Sequence, residues 1–65
     1  MRITVNDEPR EVSAATLAEA LDELGFGAAR IATAVNGGFV PATARAGHRL
    51  AEGDRLEVLA PMQGG

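Results

Sequence analysis

The chain has 65 residues, with six Arg and no Lys set against nine acidic residues for a formal charge of −3. At this length one small domain is expected, with no room for a second catalytic domain and little surplus stability from a single core. There is no Cys and a single histidine, His48, which rules out disulfides, thiolate chemistry and any two-histidine metal motif within these residues.

Hydrophobic residues make up 46% of the chain, but 13 of those 30 are Ala, leaving 17 larger apolar side chains. The core is therefore expected to be thin. A buried small-molecule pocket of ~300 Å³ or more would use most of those side chains as walls. Net acidity and only two aromatic residues disfavour a nucleic-acid surface. No apolar run approaches the ~18 residues of a spanning helix, and no basic start precedes an apolar stretch, so no membrane association and a cytoplasmic location are expected.

Arg2-Ile3-Thr4-Val5-Asn6 alternates polar and apolar, as a strand with one buried face does. Asn6-Asp7-Glu8-Pro9 supplies turn chemistry, and Arg10-Glu11-Val12-Ser13 resumes extended structure, so a hairpin is expected at the amino end. Thr16-Leu17-Ala18-Glu19 has capping-box spacing, and Leu17, Leu21 and Leu24 follow at helical spacing, predicting a helix over about 17 to 24. Gly25 suits the left-handed stop, after which Phe26 folds back on Leu21.

Arg30-Ile31-Ala32-Thr33-Ala34-Val35 reads as a central strand. Asn36-Gly37 suits a tight hairpin turn, and Phe39-Val40 begins the return strand until Pro41 removes a donor. Residues 42 to 50 show no clear period, although Leu50 reads as an anchor. Gly53-Asp54 is a turn, and Arg55-Leu56-Glu57-Val58-Leu59-Ala60 alternates again until Pro61.

The apolar sets Ile3 and Val5, Leu17, Leu21 and Leu24, Ile31 and Val35, and Leu56 and Val58 converge on one core if the helix lies across one face of a mixed sheet of four to five strands. That is an α+β, β-grasp (ubiquitin-like) arrangement occupying residues 1 to 60. Residues 61 to 65 are expected to form a flexible tail ending in Gly64-Gly65. Extended, five residues span at most ~17 Å, enough to carry a terminal carboxylate into another protein's active site. The plain alternative is that terminal glycines simply fray.

The segment Ala34-Val35-Asn36-Gly37-Gly38-Phe39-Val40-Pro41, then Leu50, Gly53-Asp54 and the closing Gly64-Gly65, resembles the ThiS family of sulfur carrier proteins, ubiquitin-like proteins of thiamine biosynthesis. The resemblance covers essentially the whole chain. It implies a carrier, not an enzyme, whose Gly65 carboxylate is adenylated by an ATP-dependent, ThiF-like activating enzyme. A sulfur donor protein then converts it to a thiocarboxylate, which passes sulfur to a ThiG-like thiazole synthase. ATP belongs to the activating enzyme, and no bound cofactor, metal or catalytic residue is implied for the carrier. Met62, Gln63, Gly64 and Gly65 would be the part entering the partner's active site. Many members carry an Arg after the Val-Pro pair, where this chain has Ala42, which puts that contact in doubt unless Arg45 substitutes for it.

Two further readings share parts of the pattern. A molybdopterin-synthase small subunit has the fold and the Gly-Gly end but is commonly longer, with a Pro-rich approach that Ala60-Pro61-Met62-Gln63 matches poorly. A non-covalent β-grasp adaptor would leave the glycines incidental.

Leu59 is out of phase with Leu56 and Val58 and should face outward. With Phe39 and Met62 it is a candidate partner-binding patch; the alternative is that Phe39 and Leu59 are singly exposed or tucked under 42 to 50. Residues 1 to 29 carry two Arg and six acids, a balance of −4, while residues 30 to 65 carry four Arg and three acids, a balance of +1. Arg45, Arg49 and Arg55 are read as solvated charges rather than docking groups. Glu19 and Glu23 are read as the wet face of the helix, His48 as an ordinary surface residue, and Asn36, Gly37 and Gly53 as turn geometry.

Overall fold

The computed structural model describes residues 1–27 and 30–60. In chain order it comprises β1 (Arg2–Val5), β2 (Glu8–Glu11), α1 (Leu17–Glu23), β3 (Ala32–Val35), β4 (Gly38–Val40), a 3-10 helix (Ala42–Gly47) and β5 (Arg55–Leu59). The five strands form one sheet in the order β2-β1-β5-β3-β4. Only the β1–β5 pair is parallel. The last strand thus lies in the middle, between the first strands of two hairpins.

The amino-terminal hairpin turns more tightly than the composition suggests. Asn6 and Asp7 alone make the turn, with φ of 50° and 70°, and β2 begins at Glu8, not at Arg10. Pro9 lies within the strand, opposite Thr4. It fits because Val5–Glu8, flanking the two-residue turn, is a hydrogen-bonding pair, so the next pair is not. The amide that Pro9 lacks would have faced the open edge.

Local chemistry fixes α1 as expected. The Glu19 amide donates to Thr16 Oγ1 at 3.3 Å, and Glu19 Oε1 accepts from the Thr16 and Ala15 amides at 3.3 and 3.0 Å. At the other end Gly25 takes φ 94°. The Phe26 amide then donates to Leu21 O at 2.7 Å and the Gly25 amide to Asp22 O at 3.1 Å, closing the last turn in the manner that glycine permits. Glu23 does more than face solvent: both its oxygens accept from the Ser13 amide at 3.1 Å.

The core combines Ile3, Val5, Val35, Val40, Leu56 and Val58 of the sheet with Leu17, Ala20 and Leu21 of α1; Val12, Ala14 and Leu50 complete it from the connections. Leu24 and Ile31 are only partly buried at its margin. Ala20 lies on the helical face of Leu17, Leu21 and Leu24 but is too small to stand out in the sequence, whereas Val12 and Ala14 lie in connections and join the core through contacts remote in the chain. The stretch 42 to 50, aperiodic in sequence, is ordered in two ways. It starts as the 3-10 helix, then runs back along the residues before α1, with Leu17 donating to His48 O at 2.8 Å and Leu50 to Ala15 O at 2.9 Å. No helix among the described residues is long and apolar enough to cross a membrane.

Candidate functional site

The site expected from sequence has two parts, the tail and an apolar patch beside it. Met62, Gln63, Gly64 and Gly65 lie outside the described residues. The patch is described except for Met62. Phe39 is 70% exposed and Leu59 68%, large values for such side chains in a chain with few of them. Phe39 stands opposite Ala34, and Leu59 opposite Ala32. Ala32 and Ala34 share one face of β3, so both large side chains leave the sheet on the face away from the core. Neither is tucked under the 42 to 50 segment.

Between Phe39 and Leu59 there are thus only two methyl side chains. The result is a low apolar saddle across β4, β3 and β5, flanked by Glu57 beside Ala34. The strand alternation that buries Leu56 and Val58 necessarily exposes Leu59. Covering a Phe or Leu fully is worth about 1.5–3 kcal/mol each, so a partner seated on this face gains substantially from two residues.

The termini of several elements meet at the same end of the sheet. β5 ends beside the start of β3, since Leu59 pairs with Ala32, and β4 ends there too, since Val40 pairs with Thr33. Thr33 is the one buried polar residue among those described, 2% exposed. Its hydroxyl donates to Val40 O at 2.8 Å and accepts from Arg45 Nε at 3.1 Å; Arg45 Nη2 also donates to Ile31 O at 2.6 Å. Arg45 is therefore neither a solvated charge nor a free docking group. It is half-buried and clamps the 3-10 helix to the sheet. With Nε and Nη2 so occupied, it is a poor stand-in for the family's Arg at the position of Ala42. Arg49 and Arg55 remain exposed and His48 half-buried.

A recess of about 220 Å³ lies between α1 and the 3-10 helix, with Leu21, Phe26, Asp22 and Arg45 in its wall. It is open to solvent. Among the described residues no group of His, Asp and Glu is placed to hold a metal ion.

Asn36 and Asn6, both at the tips of hairpins, do more than shape turns. The Arg55 amide donates to Asn36 Oδ1 at 2.9 Å, and Asn36 Nδ2 donates to Asp54 Oδ1 at 3.0 Å. The Val58 amide donates to Asn6 Oδ1 at 2.9 Å. Each asparagine therefore bonds the central strand, Asn36 near its start and Asn6 near its end.

One helix across a five-stranded mixed sheet, with a parallel pairing of the first and last strands, is the ubiquitin-like β-grasp fold. Comparisons with known proteins narrow it further. The ThiS family model matches residues 3–65, and the chain belongs to the ThiS family of sulfur carrier proteins. The crystal structure of the thiamine biosynthesis protein ThiS from Geobacter metallireducens is similar over 100% of both chains, with a TM-score of 0.83 and 30% identity. An NMR solution structure of a thiamine biosynthesis protein from the same organism gives a TM-score of 0.78 at 29% identity, covering 100% of this chain and 88% of that one. No curated protein matches the chain.

Proposed function

We propose that this chain carries sulfur for thiazole formation in thiamine biosynthesis, as a thiocarboxylate at Gly65. The observation that carries this reading is the family match, which runs through Gly64 and Gly65. It is a reading of a protein co-substrate, with the chemistry done by its partners.

A carboxylate is a poor electrophile until one oxygen becomes a leaving group. An ATP-dependent activating enzyme of the ThiF type transfers AMP to the Gly65 carboxylate and releases pyrophosphate. The terminal sulfur of a persulfide donor then attacks the acyl carbon and expels AMP, forming an acyl disulfide. A thiol reductant cleaves its S–S bond, leaving the thiocarboxylate on the carrier. A ThiG-like thiazole synthase takes the sulfur. Glycine leaves the acyl carbon unhindered, and two residues without side chains make the narrowest polypeptide that can be threaded into an enclosed active site.

The saddle of Phe39, Ala34, Ala32 and Leu59 serves in this scheme as the surface that both partners grip. It borders the end of β5 from which the tail departs, so docking there brings the tail to the partner's reactive centre.

Intact-mass analysis tests the reading. After incubation with a ThiF-like enzyme, ATP, a persulfide donor and a thiol, one oxygen of the carboxyl terminus should be replaced by sulfur. An unmodified chain, with an enzyme active on its own partner, overturns it.

A further inference from the structure

Asn6 ends the parallel pairing of β1 with β5 in an unusual way. Up to Asn6 the ladder is regular, with the Thr4 amide donating to Asp54 O at 3.0 Å and the Asn6 amide to Leu56 O at 2.9 Å. The next rung of a parallel ladder requires a main-chain carbonyl at position 6 for the Val58 amide, and an amide two residues further on for the Val58 carbonyl. Neither is presented, because Asn6 turns into the left-handed region at φ 50° and the chain departs into the hairpin.

The Asn6 side chain supplies both missing partners. Its Oδ1 accepts from the Val58 amide at 2.9 Å, and its Nδ2 donates to Val58 O at 3.1 Å. A primary amide offers a donor and an acceptor from one planar group, as a peptide unit does. Asp lacks the donor and Gly has neither. Val58 is the penultimate residue of β5, so Asn6 is the last described group on the β1 side to hold this strand. Asn36 completes the β3 side near the start of the strand but has no bond near its end.

We infer that Asn6 is a positioning residue for the carboxyl-terminal tail, holding the β1 side of Val58 and so helping to fix the direction in which the chain leaves the sheet after Leu59. This rests on the carrier reading, and it adds a determinant lying across the sheet from the docking saddle. An angular error at Val58 is multiplied along whatever length of tail follows, and acyl activation is sensitive to misplacement of about an ångström at the reacting atom.

The test uses Asn6→Gly, which keeps a residue at ease with positive φ and deletes the amide. ATP–pyrophosphate exchange by the activating enzyme is followed against carrier concentration. With docking intact and aim lost, KM for the carrier should stay within about twofold while kcat falls about tenfold or more. Amide hydrogen exchange at Val58 should quicken. Asn6→Asp, which keeps an acceptor for the Val58 amide but no donor for its carbonyl, should fall between; it decides the matter if the glycine variant does not fold.

Wild-type kcat in both variants, a rise in KM at constant kcat, or unchanged exchange at Val58 overturns the assignment. A wild-type chain that supports no pyrophosphate exchange overturns the carrier reading, and this role with it. Active wild type with equally active variants overturns this role alone.

Discussion

The Arg45 guanidinium donates to the hydroxyl of Thr33, a buried residue in the third strand of the sheet, from the 3-10 helix twelve residues along the chain. Thr33 passes the contact on to Val40 O at 2.8 Å. One hydroxyl thus joins two strands and a helix at the end of the sheet where β5 finishes. Thr33→Val keeps the shape and the main-chain pairing with Val40, but it removes the hydroxyl's bond to the Val40 carbonyl and leaves Arg45 Nε without its acceptor. A loss of about 1–3 kcal/mol is expected from denaturant unfolding.

Leu56 is fully buried in the central strand, with Val5 on one side and Val35 on the other. Leu56→Ala should cost about 2–5 kcal/mol. A domain of this size has only about 3–5 kcal/mol in hand. Circular dichroism should therefore show a largely unfolded chain at room temperature, and wild-type-like melting would contradict the proposed core.

Phe39 and Leu59 have the opposite expectation. Both are exposed, so Phe39→Asp and Leu59→Asp should each shift stability by no more than about 0.5 kcal/mol. If the saddle is the docking surface, KM for the carrier in the adenylation assay should rise about tenfold or more for each. Unchanged adenylation kinetics would remove the saddle from the mechanism.

Removal of Gly65 separates a carrier from an adaptor. Melting should be unchanged, because the core is complete by Val58. Thiocarboxylate formation should disappear while binding to the activating enzyme persists. A truncated chain that still acquires sulfur at its terminus would contradict the assignment of the carried group.

Gly25→Ala isolates a backbone effect. A Cβ at this position would meet nothing within 4 Å, so the cost is conformational: a residue with a side chain held at φ 94°. About 1–2 kcal/mol is expected from chemical denaturation. A neutral result would show that the helix stop relaxes without glycine.

Much of this protein was legible before any tertiary contact was known. Capping at Thr16 and Glu19, the stop at Gly25, the turn at Asn36-Gly37 and the alternation of Leu56, Val58 and Leu59 are written in residues three or four apart, where local sterics and hydrogen bonding decide. The exposure of Leu59 follows from the same alternation, and the resemblance that pointed to the family rests on short contiguous segments and a terminal Gly-Gly.

What only the tertiary structure decided depends on residues far apart in the chain. Arg45 carries no sequence mark that distinguishes it from a solvated charge; its role appears when the 3-10 helix lies against Thr33 and the Ile31 carbonyl. Asn6 reads as turn chemistry, and its second role exists because the last strand returns beside the first, fifty-two residues on from Asn6 to Val58. Pairing at that separation is set by which faces can be buried together, a property of the whole sheet that no local window contains.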